Sequence, residues 1–249
     1  MEALERSVLT PIDHYTSAHW AESLHDAQVV AVDLLRPVLQ KRDGRALDLG
    51  CGDGLFLAEL DRIGDLSARG WELHGADFSP AVLADARRWP YMFEQCNLEE
   101  GAPYPDETFD LVIASQLIEH VYDPDHLLRE TRRILRPGGH VLITTPNLQA
   151  WYNRALFAAG IQPVFYETST KSAYVGAGPL TRMKRSPDPV GHVRVFNRRA
   201  LLDLLVNEGL RPVEMRGARF ERIPAARMDR LFTRFPSLAS NLVVLATRA

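Results

Sequence analysis

Leu47-Asp48-Leu49-Gly50-Cys51-Gly52-Asp53-Gly54 places three glycines at alternate positions. They follow a short apolar run, Arg45–Leu49, and precede a second apolar stretch at 55–60. The first run has the length and composition of a buried strand, and the second reads as a helix. In a strand, a glycine turn and a helix in succession, bare backbone approaches a ligand with no side chain in the way. Several nucleotide-type cofactors use such turns, and spacing separates them. The dinucleotide turn reads G-x-G-x-x-G, with the last glycine letting helix and strand pack closely. Here the pattern is G-x-G-x-G, and Leu55 stands where that last glycine belongs. Asp48 adds a carboxylate suited to a cationic ligand group or to ordering the turn, and a poor neighbour for a pyrophosphate. Cys51 fits the turn by being small.

The same rhythm continues on both sides. Leu24, Ala27, Val30, Ala31, Leu34, Leu35 and Val38 recur at helical spacing within 21–40, an element closed by Pro37 and Gly44. After a helix at 55–63, residues 72–77 read as a second strand ending in Asp77. Ser79-Pro80 then opens a helix, with serine as N-cap and proline in the first turn. Residues 91–96 read as a short third strand, and the nearly continuous apolar run 109–115 as a fourth, buried on both faces. The spacing predicts a helix over 124–135, stopped by Arg136-Pro137-Gly138-Gly139, and a fifth strand over 140–145. Strands alternating with helices imply right-handed crossovers and a parallel sheet.

Beyond Asn147 the rhythm breaks. Residues 148–160 read as a helix, but 161–193 are rich in proline and glycine and poor in apolar runs. A loop of that length in a compact domain is usually functional, such as a lid. Regular structure resumes with a helix over 198–208 capped by Gly209, a strand over 211–215, a helix over 222–235 and a strand over 241–246. No repeat and no linker divides the chain. The expectation is one domain over 1–249, with an N-terminal helical cap at 1–44. A lid or substrate insertion at about 148–193 lies between strand five and the following helix.

Composition narrows the class. Apolar residues make up 46% and charged residues 24%, an ordinary soluble balance. No apolar run reaches the roughly 18 residues that span a bilayer. Met1-Glu2-Ala3-Leu4-Glu5-Arg6 is charged and has no signal-peptide core, so the expected location is cytoplasmic. Cys51 and Cys96 fit neither a metal-ligand spacing nor a disulfide framework. Charge is uneven. Residues 1–179 hold 15 basic and 26 acidic side chains, a net of −11, whereas 180–234 hold 13 and 6, a net of +7. Nearly all these cations are arginines, whose fork suits carboxylate and phosphate, so an anionic substrate or a nucleic acid could face this third. An ordinary solvated surface reads equally well.

From Arg45 to about Asn147 the chain resembles the class I S-adenosylmethionine-dependent methyltransferases, and within them the ubiquinone-biosynthesis-like small-molecule group. The resemblance rests on five stretches in order. These are the glycine turn with Asp48, Asp77 27 residues beyond Gly50, Asn97-Leu98, the run from Tyr104 through Val112 into Ser115-Gln116-Leu117-Ile118-Glu119-His120-Val121, and Leu135-Arg136-Pro137-Gly138-Gly139. Gly191-His192-Val193-Arg194-Val195-Phe196 is similar to some members, whereas 148–190 matches nothing placed. The resemblance implies an α/β, Rossmann-like, doubly wound seven-stranded sheet in the order 3-2-1-4-5-7-6. Helices would cover both faces, and the last strand would run antiparallel. It implies S-adenosyl-L-methionine as cofactor and S-adenosyl-L-homocysteine as product. Asp48, Gly50, Cys51 and Gly52 would lie at the cofactor's methionine end, and Asp77 would accept both ribose hydroxyls. Phe78 would flank the adenine and Asn97 and Leu98 meet its edge, with Asn97 a departure from the more usual aspartate. Ser115 and Gln116 would line the methionine end.

A sulfonium methyl is already electrophilic, so the protein's task is to align a nucleophile and exclude water. A hydroxyl nucleophile profits from a base near neutral pKa, which makes His120 and His192 the catalytic candidates; both have ordinary packing readings as well. Asn147, Tyr152, Tyr166 and Arg194 are candidates for the acceptor site. Tyr15 and Trp20 could fold over the cofactor, where an aromatic face favours a sulfonium. Asp123, Asp125, His120 and His126 raise the question of a metal, but the acids flank Pro124 at a helix start, where the helix dipole favours them, and no metal is expected. The expected partner is a small polar molecule, methylated most readily at a hydroxyl of a sugar or secondary metabolite. The arginines bring no RNA-binding motif, so nucleic acid is not expected. An RNA methyltransferase, an NAD-dependent oxidoreductase and a non-catalytic cofactor-binding module are the alternatives, and the oligomeric state is open.

Overall fold

The computed structural model describes residues 26–183, 188–220 and 226–249. Tyr15 and Trp20 lie outside the described residues. Helix α1 (Asp26–Leu35) leads to β1 (Arg45–Leu49), α2 (Leu55–Gly64), β2 (Glu72–Asp77), α3 (Pro80–Ala86) and β3 (Met92–Gln95). Next come β4 (Phe109–Ser115), α4 (Pro124–Ile134), β5 (Leu135–Pro146) and α5 (Trp151–Ala158). The chain continues through α6 (Arg198–Asn207), β6 (Leu210–Ala218), α7 (Ala226–Phe232) and β7 (Asn241–Arg248). The strands form one sheet in the order β3-β2-β1-β4-β5-β7-β6. The first five are parallel neighbours, and β7 runs antiparallel to both β5 and β6. This is the expected doubly wound architecture.

Side chains alternate across a strand, so each central strand serves two cores. Leu47, Leu49, Val112, Ile143 and Val244 face the layer that holds Leu127 and Leu128 of α4 and Leu201 and Leu205 of α6. Ala46, Leu111, Ile113, Leu142 and Val243 face the other, which holds Ala31 and Leu35 of α1 and Phe56 and Leu60 of α2. This explains why β4 reads as an unbroken apolar run. Each fully buried leucine-sized side chain contributes about 1.5–3 kcal/mol.

Several boundaries differ from the sequence reading. The helical pattern over 21–40 divides: α1 ends at Leu35 and a separate 3-10 turn covers Val38–Gln40. Pro37 has no N–H to extend the ladder. Arg136-Pro137-Gly138-Gly139 does not lie between helix and strand; α4 ends at Ile134 and β5 begins at Leu135. Leu135 pairs with Phe109 and His140 with Leu111, so residues 136–139 bulge from the strand opposite Asp110. Helix α5 starts at Trp151 rather than 148. The Leu148 N–H donates to the Phe196 carbonyl and the Asn147 side chain accepts from Gln149, which holds this stretch out of a helix. β6 is longer than expected, and α7 is described from Ala226.

The bulge turns Arg136 onto Asp110. Asp110 is nearly buried, and its carboxylate accepts from the Arg45 N–H at 2.9 Å, from the Arg136 guanidinium at 2.7 Å and from Lys41. The entry to β1 and the bulge in β5 are thereby both tied to the start of β4. Asp110→Ala leaves the Arg45 N–H and the Arg136 guanidinium without this partner. It is expected to lower unfolding free energy by about 2 kcal/mol, measured as a fall in urea midpoint at unchanged slope.

Candidate active site

The parallel strands β2, β1, β4 and β5 end on one edge of the sheet, and the strand order reverses between β1 and β4. Ligands of open α/β sheets bind at such a reversal. The turn after β1 lies here with Gly50, Gly52 and Gly54 at φ of 68°, 55° and 76°. At Gly50 the left-handed backbone demands glycine, and a Cβ there would also push on Leu117 Cδ1 at 2.9 Å. The N–H groups of Gly50 and Cys51 donate to the Ala76 carbonyl, which fastens the turn to the end of β2.

Asp77 ends β2. One carboxylate oxygen accepts from the Gly52 N–H at 3.0 Å and the other from the Ser79 N–H at 2.9 Å. A carboxylate has about four acceptor positions, so each oxygen keeps one for a further donor. Asp48 lies in β1 at 2% exposure, and its Oδ1 has no hydrogen-bond partner. Burial, and then the nearby Asp77 carboxylate, push its pKa up to about 8. A buried carboxyl with an orphaned oxygen beside a left-handed glycine turn has the chemistry to receive a cationic group. Cys51 is buried, and burial pushes its thiol pKa up, so it packs rather than reacts.

The adenine-side candidates are less uniform. Phe78 is 40% exposed next to Asp77, and its carbonyl accepts from Gln95. Leu98 packs against the core. Asn97 is spent locally: its amide donates to Glu100 at 2.7 Å and its oxygen accepts from the Glu99 N–H. At the end of β4, Ser115 and Gln116 both lean on Thr144 of β5, at 3.1 Å and 3.0 Å. Gln116 holds a φ of 55°, a left-handed conformation that costs a non-glycine residue about 1–2 kcal/mol. Such strain clusters at functional sites.

His120 and His192, 72 residues apart in the sequence, meet with ring centroids 4.8 Å apart. His120 Nδ1 lies 3.2 Å from the Gly191 carbonyl and His192 Nδ1 3.1 Å from the Phe165 carbonyl. A carbonyl only accepts, so both rings carry the proton on Nδ1 and present a basic Nε2. Burial, then His192, drive the His120 pKa down to about 3; burial also lowers that of His192. Both rings are neutral at pH 7.

Glu119 was missed in the sequence. It is 1% exposed, and one ligand-type atom from each of Glu119, His120 and His192 falls within 4.8 Å of the others. Neither carboxylate oxygen has a hydrogen bond of full strength. Burial pushes its pKa up to about 8, while the Thr145 hydroxyl alongside works weakly in the opposite direction. The only signal was a Glu-His pair after an apolar strand.

The remaining candidates separate into two layers. Asn147 is fully buried; its amide donates to the carbonyls of Pro236, Ser237 and Ala239, so it clamps two loops and has no polar atom to spare. Tyr152 is buried against Trp151. Tyr166 is 45% exposed, and Arg194, also exposed, donates to the Tyr122 carbonyl. Asp123 is the N-cap of α4 and accepts from His126 N–H, as its position at a helix start required. Among the described arginines of the basic third, Arg199, Arg216 and Arg219 pair with Asp203, Glu214 and Asp26. Part of that charge is therefore structural.

Comparison with known proteins agrees with this geometry. The profile of a family described as "Methyltransferase domain" matches residues 21–215. A probable S-adenosylmethionine-dependent methyltransferase of Mycolicibacterium smegmatis is 31% identical, with 74% of this chain and 76% of that protein covered. A ubiquinone biosynthesis O-methyltransferase of Alkalilimnicola ehrlichii is 37% identical over 131 residues, 50% of this chain and 51% of its own. The chain thus spans about half the length of that ubiquinone relative. A crystal structure of an S-adenosylmethionine-dependent methyltransferase from Mesorhizobium loti superimposes with a TM-score of 0.59 at 22% identity, covering 89% of this chain and 98% of that one, which establishes the shared fold. With the family's profile matched over residues 21–215 and a 31% identical methyltransferase relative covered to 76% of its length, the chain belongs to the class I S-adenosylmethionine-dependent methyltransferase family.

Proposed function

We propose that this protein moves a methyl group from S-adenosylmethionine to a hydroxyl of a small polar acceptor, a sugar or secondary metabolite. The observation that carries the reading is the buried, half-unpartnered Asp48 beside the left-handed turn, with Asp77 one strand over. The ubiquinone relatives are named for O-methylation, which supports oxygen as the accepting atom. When bound, the cofactor supplies an electrophilic methyl on a sulfonium.

The chain's own residues do the rest. Asp48 faces the ammonium of the methionine moiety, and the backbone of Gly50, Cys51 and Gly52 passes beneath it. Asp77 accepts the two ribose hydroxyls with the positions left over from Gly52 and Ser79. Phe78 covers one face of the adenine, with Leu98 at its edge. Asn97 takes part through its turn, because its amide is already engaged. Ser115 and Gln116 shape the methionine end. His120 and His192 present their Nε2 atoms to the acceptor hydroxyl and receive its proton. Tyr166 and Arg194 stand at the entrance, where Arg194 favours an acidic acceptor. Asn147 and Tyr152 support that site from behind. The described parts of the insertion, 148–183 and 188–193, serve as the lid of the acceptor site.

Three outcomes test this reading. Asp77→Ala is expected to weaken S-adenosylhomocysteine at least about 30-fold in calorimetry, the loss of two charge-assisted hydrogen bonds; unchanged binding would sink it. Asp48 is protonated below about pH 8. A cation placed beside it favours the ionised form, so uptake of S-adenosylhomocysteine near pH 7 must release a proton. The observed binding enthalpy then varies with buffer ionisation heat, and Asp48→Asn abolishes the variation. Finally, labelled methyl from S-adenosylmethionine is expected in at least one of 3,4-dihydroxybenzoate, a hexose and a hexuronate. Label in an RNA fraction alone would refute a small-molecule acceptor.

A further inference from the structure

Both histidines make poor bases where they stand. A proton on either ring would put a cation into a largely buried site, which is why His120 lies at about 3. A proton acceptor there needs a nearby negative charge, and the structure holds one candidate. Glu119 immediately precedes His120 and is more deeply covered than either ring: it is 1% exposed while the histidines are only partly covered. Its carboxyl reaches within 4.8 Å of both imidazoles. Its own backbone carbonyl accepts from Val193 at 2.9 Å and Arg194 at 3.0 Å, the bonds that bring His192 into the group. Its carboxylate oxygens have no other strong partner to answer to.

We propose that Glu119 is a positioning residue for methyl transfer, a buried counter-charge that governs whether the His120–His192 pair can hold a proton. This rests on the methyltransferase reading above. In the step itself, the acceptor oxygen bonds to the methyl carbon as the carbon–sulfur bond breaks, and that electron pair stays on sulfur. The hydroxyl proton goes to an imidazole Nε2. The site begins with a sulfonium and a carboxylate and ends with an imidazolium and the same carboxylate, so its net charge does not change. Without Glu119 the proton would leave an uncompensated cation on a largely buried ring.

The groups around Glu119 leave this role to it. Thr145 of β5 contributes a neutral hydroxyl. The Arg194 guanidinium goes to the Tyr122 carbonyl instead. Glu167, from the same insertion, accepts from the N–H groups of Val190 and Gly191. Among the described residues, His120 and His192 place a ring nitrogen within 4.8 Å of the Glu119 carboxyl. Burial holds the carboxyl protonated at neutral pH, with ionisation near pH 8. Activity therefore rises with pH through that region as the carboxylate forms.

Glu119→Gln copies the protonated form in size and polarity, so the variant is expected to fold. Wild type and variant, each with nitrogen-15 histidine, are titrated by NMR from about pH 5 to about pH 10, with and without S-adenosylhomocysteine. The expected result is a step near pH 8 in the His120 and His192 ring signals of the wild type that is missing from the variant. S-adenosylhomocysteine should bind both within about threefold. With the panel acceptor that the wild type methylates fastest, kcat should fall at least about 30-fold at nearly constant KM, and the rise with pH should vanish. Identical histidine profiles in the two proteins, or an undiminished kcat in the variant, overturn the proposal. So does a wild-type profile that changes on treatment with EDTA, since a cation rather than a proton would then be the partner. Wild-type protein that binds no S-adenosylhomocysteine defeats the cofactor reading instead, while the titration without it still decides the coupling.

Discussion

Two N–H groups, those of Val193 and Arg194, converge on the carbonyl of Glu119. This small backbone junction joins the end of the central sheet to a segment that returns after more than 70 residues. The parallel bridge between Asn147 and Phe196 makes a second join nearby. Together they tie residues 193–196 to the segments that follow β4 and β5. His192 comes to His120 because of them, and Phe165 comes with it, ring against ring at 5.8 Å. Glu167 closes the same loop by accepting from the N–H groups of Val190 and Gly191. A proline- and glycine-rich segment without apolar runs gains its shape from such bonds, not from a core of its own.

The site is assembled from groups that are uncomfortable in isolation. Asp48 and Glu119 are both fully buried carboxyls with pKa values near 8. Each folded-state value lies above the unfolded one, so folding takes up protons. The associated stability is present at low pH and is lost as pH rises through about 8. Burial keeps both acids neutral at pH 7. Gln116 adds backbone strain at the same edge of the sheet. Stability given up in this way at one edge is supplied by the two apolar layers that clasp the sheet.

The sequence made some parts of this plain because they depend on neighbours along the chain. Alternating burial in β4, the Ser79-Pro80 helix start and the glycine turn are local patterns with local causes, and they appear where expected. The bulge at 136–139 was hidden because a Pro-Gly-Gly run is equally suited to a turn and to an outward loop within a strand. Its choice is made by Asp110 and by the pairing of Leu135 with Phe109. Asn147 looked like a substrate contact for its place after a strand; the carbonyls that occupy it belong to residues about 90 positions later.

By itself, then, the chain's order of residues determined the strands and helices and the acids and glycines at the strand ends, since side-chain alternation and turn chemistry act over a few residues, while the strand order followed from the family resemblance. Only the tertiary structure decided that Glu119 is buried, that His192 stands beside His120, and that both rings spend Nδ1 on backbone carbonyls. Desolvation and hydrogen bonding to distant carbonyls set those properties, and neither is written in any short stretch of sequence.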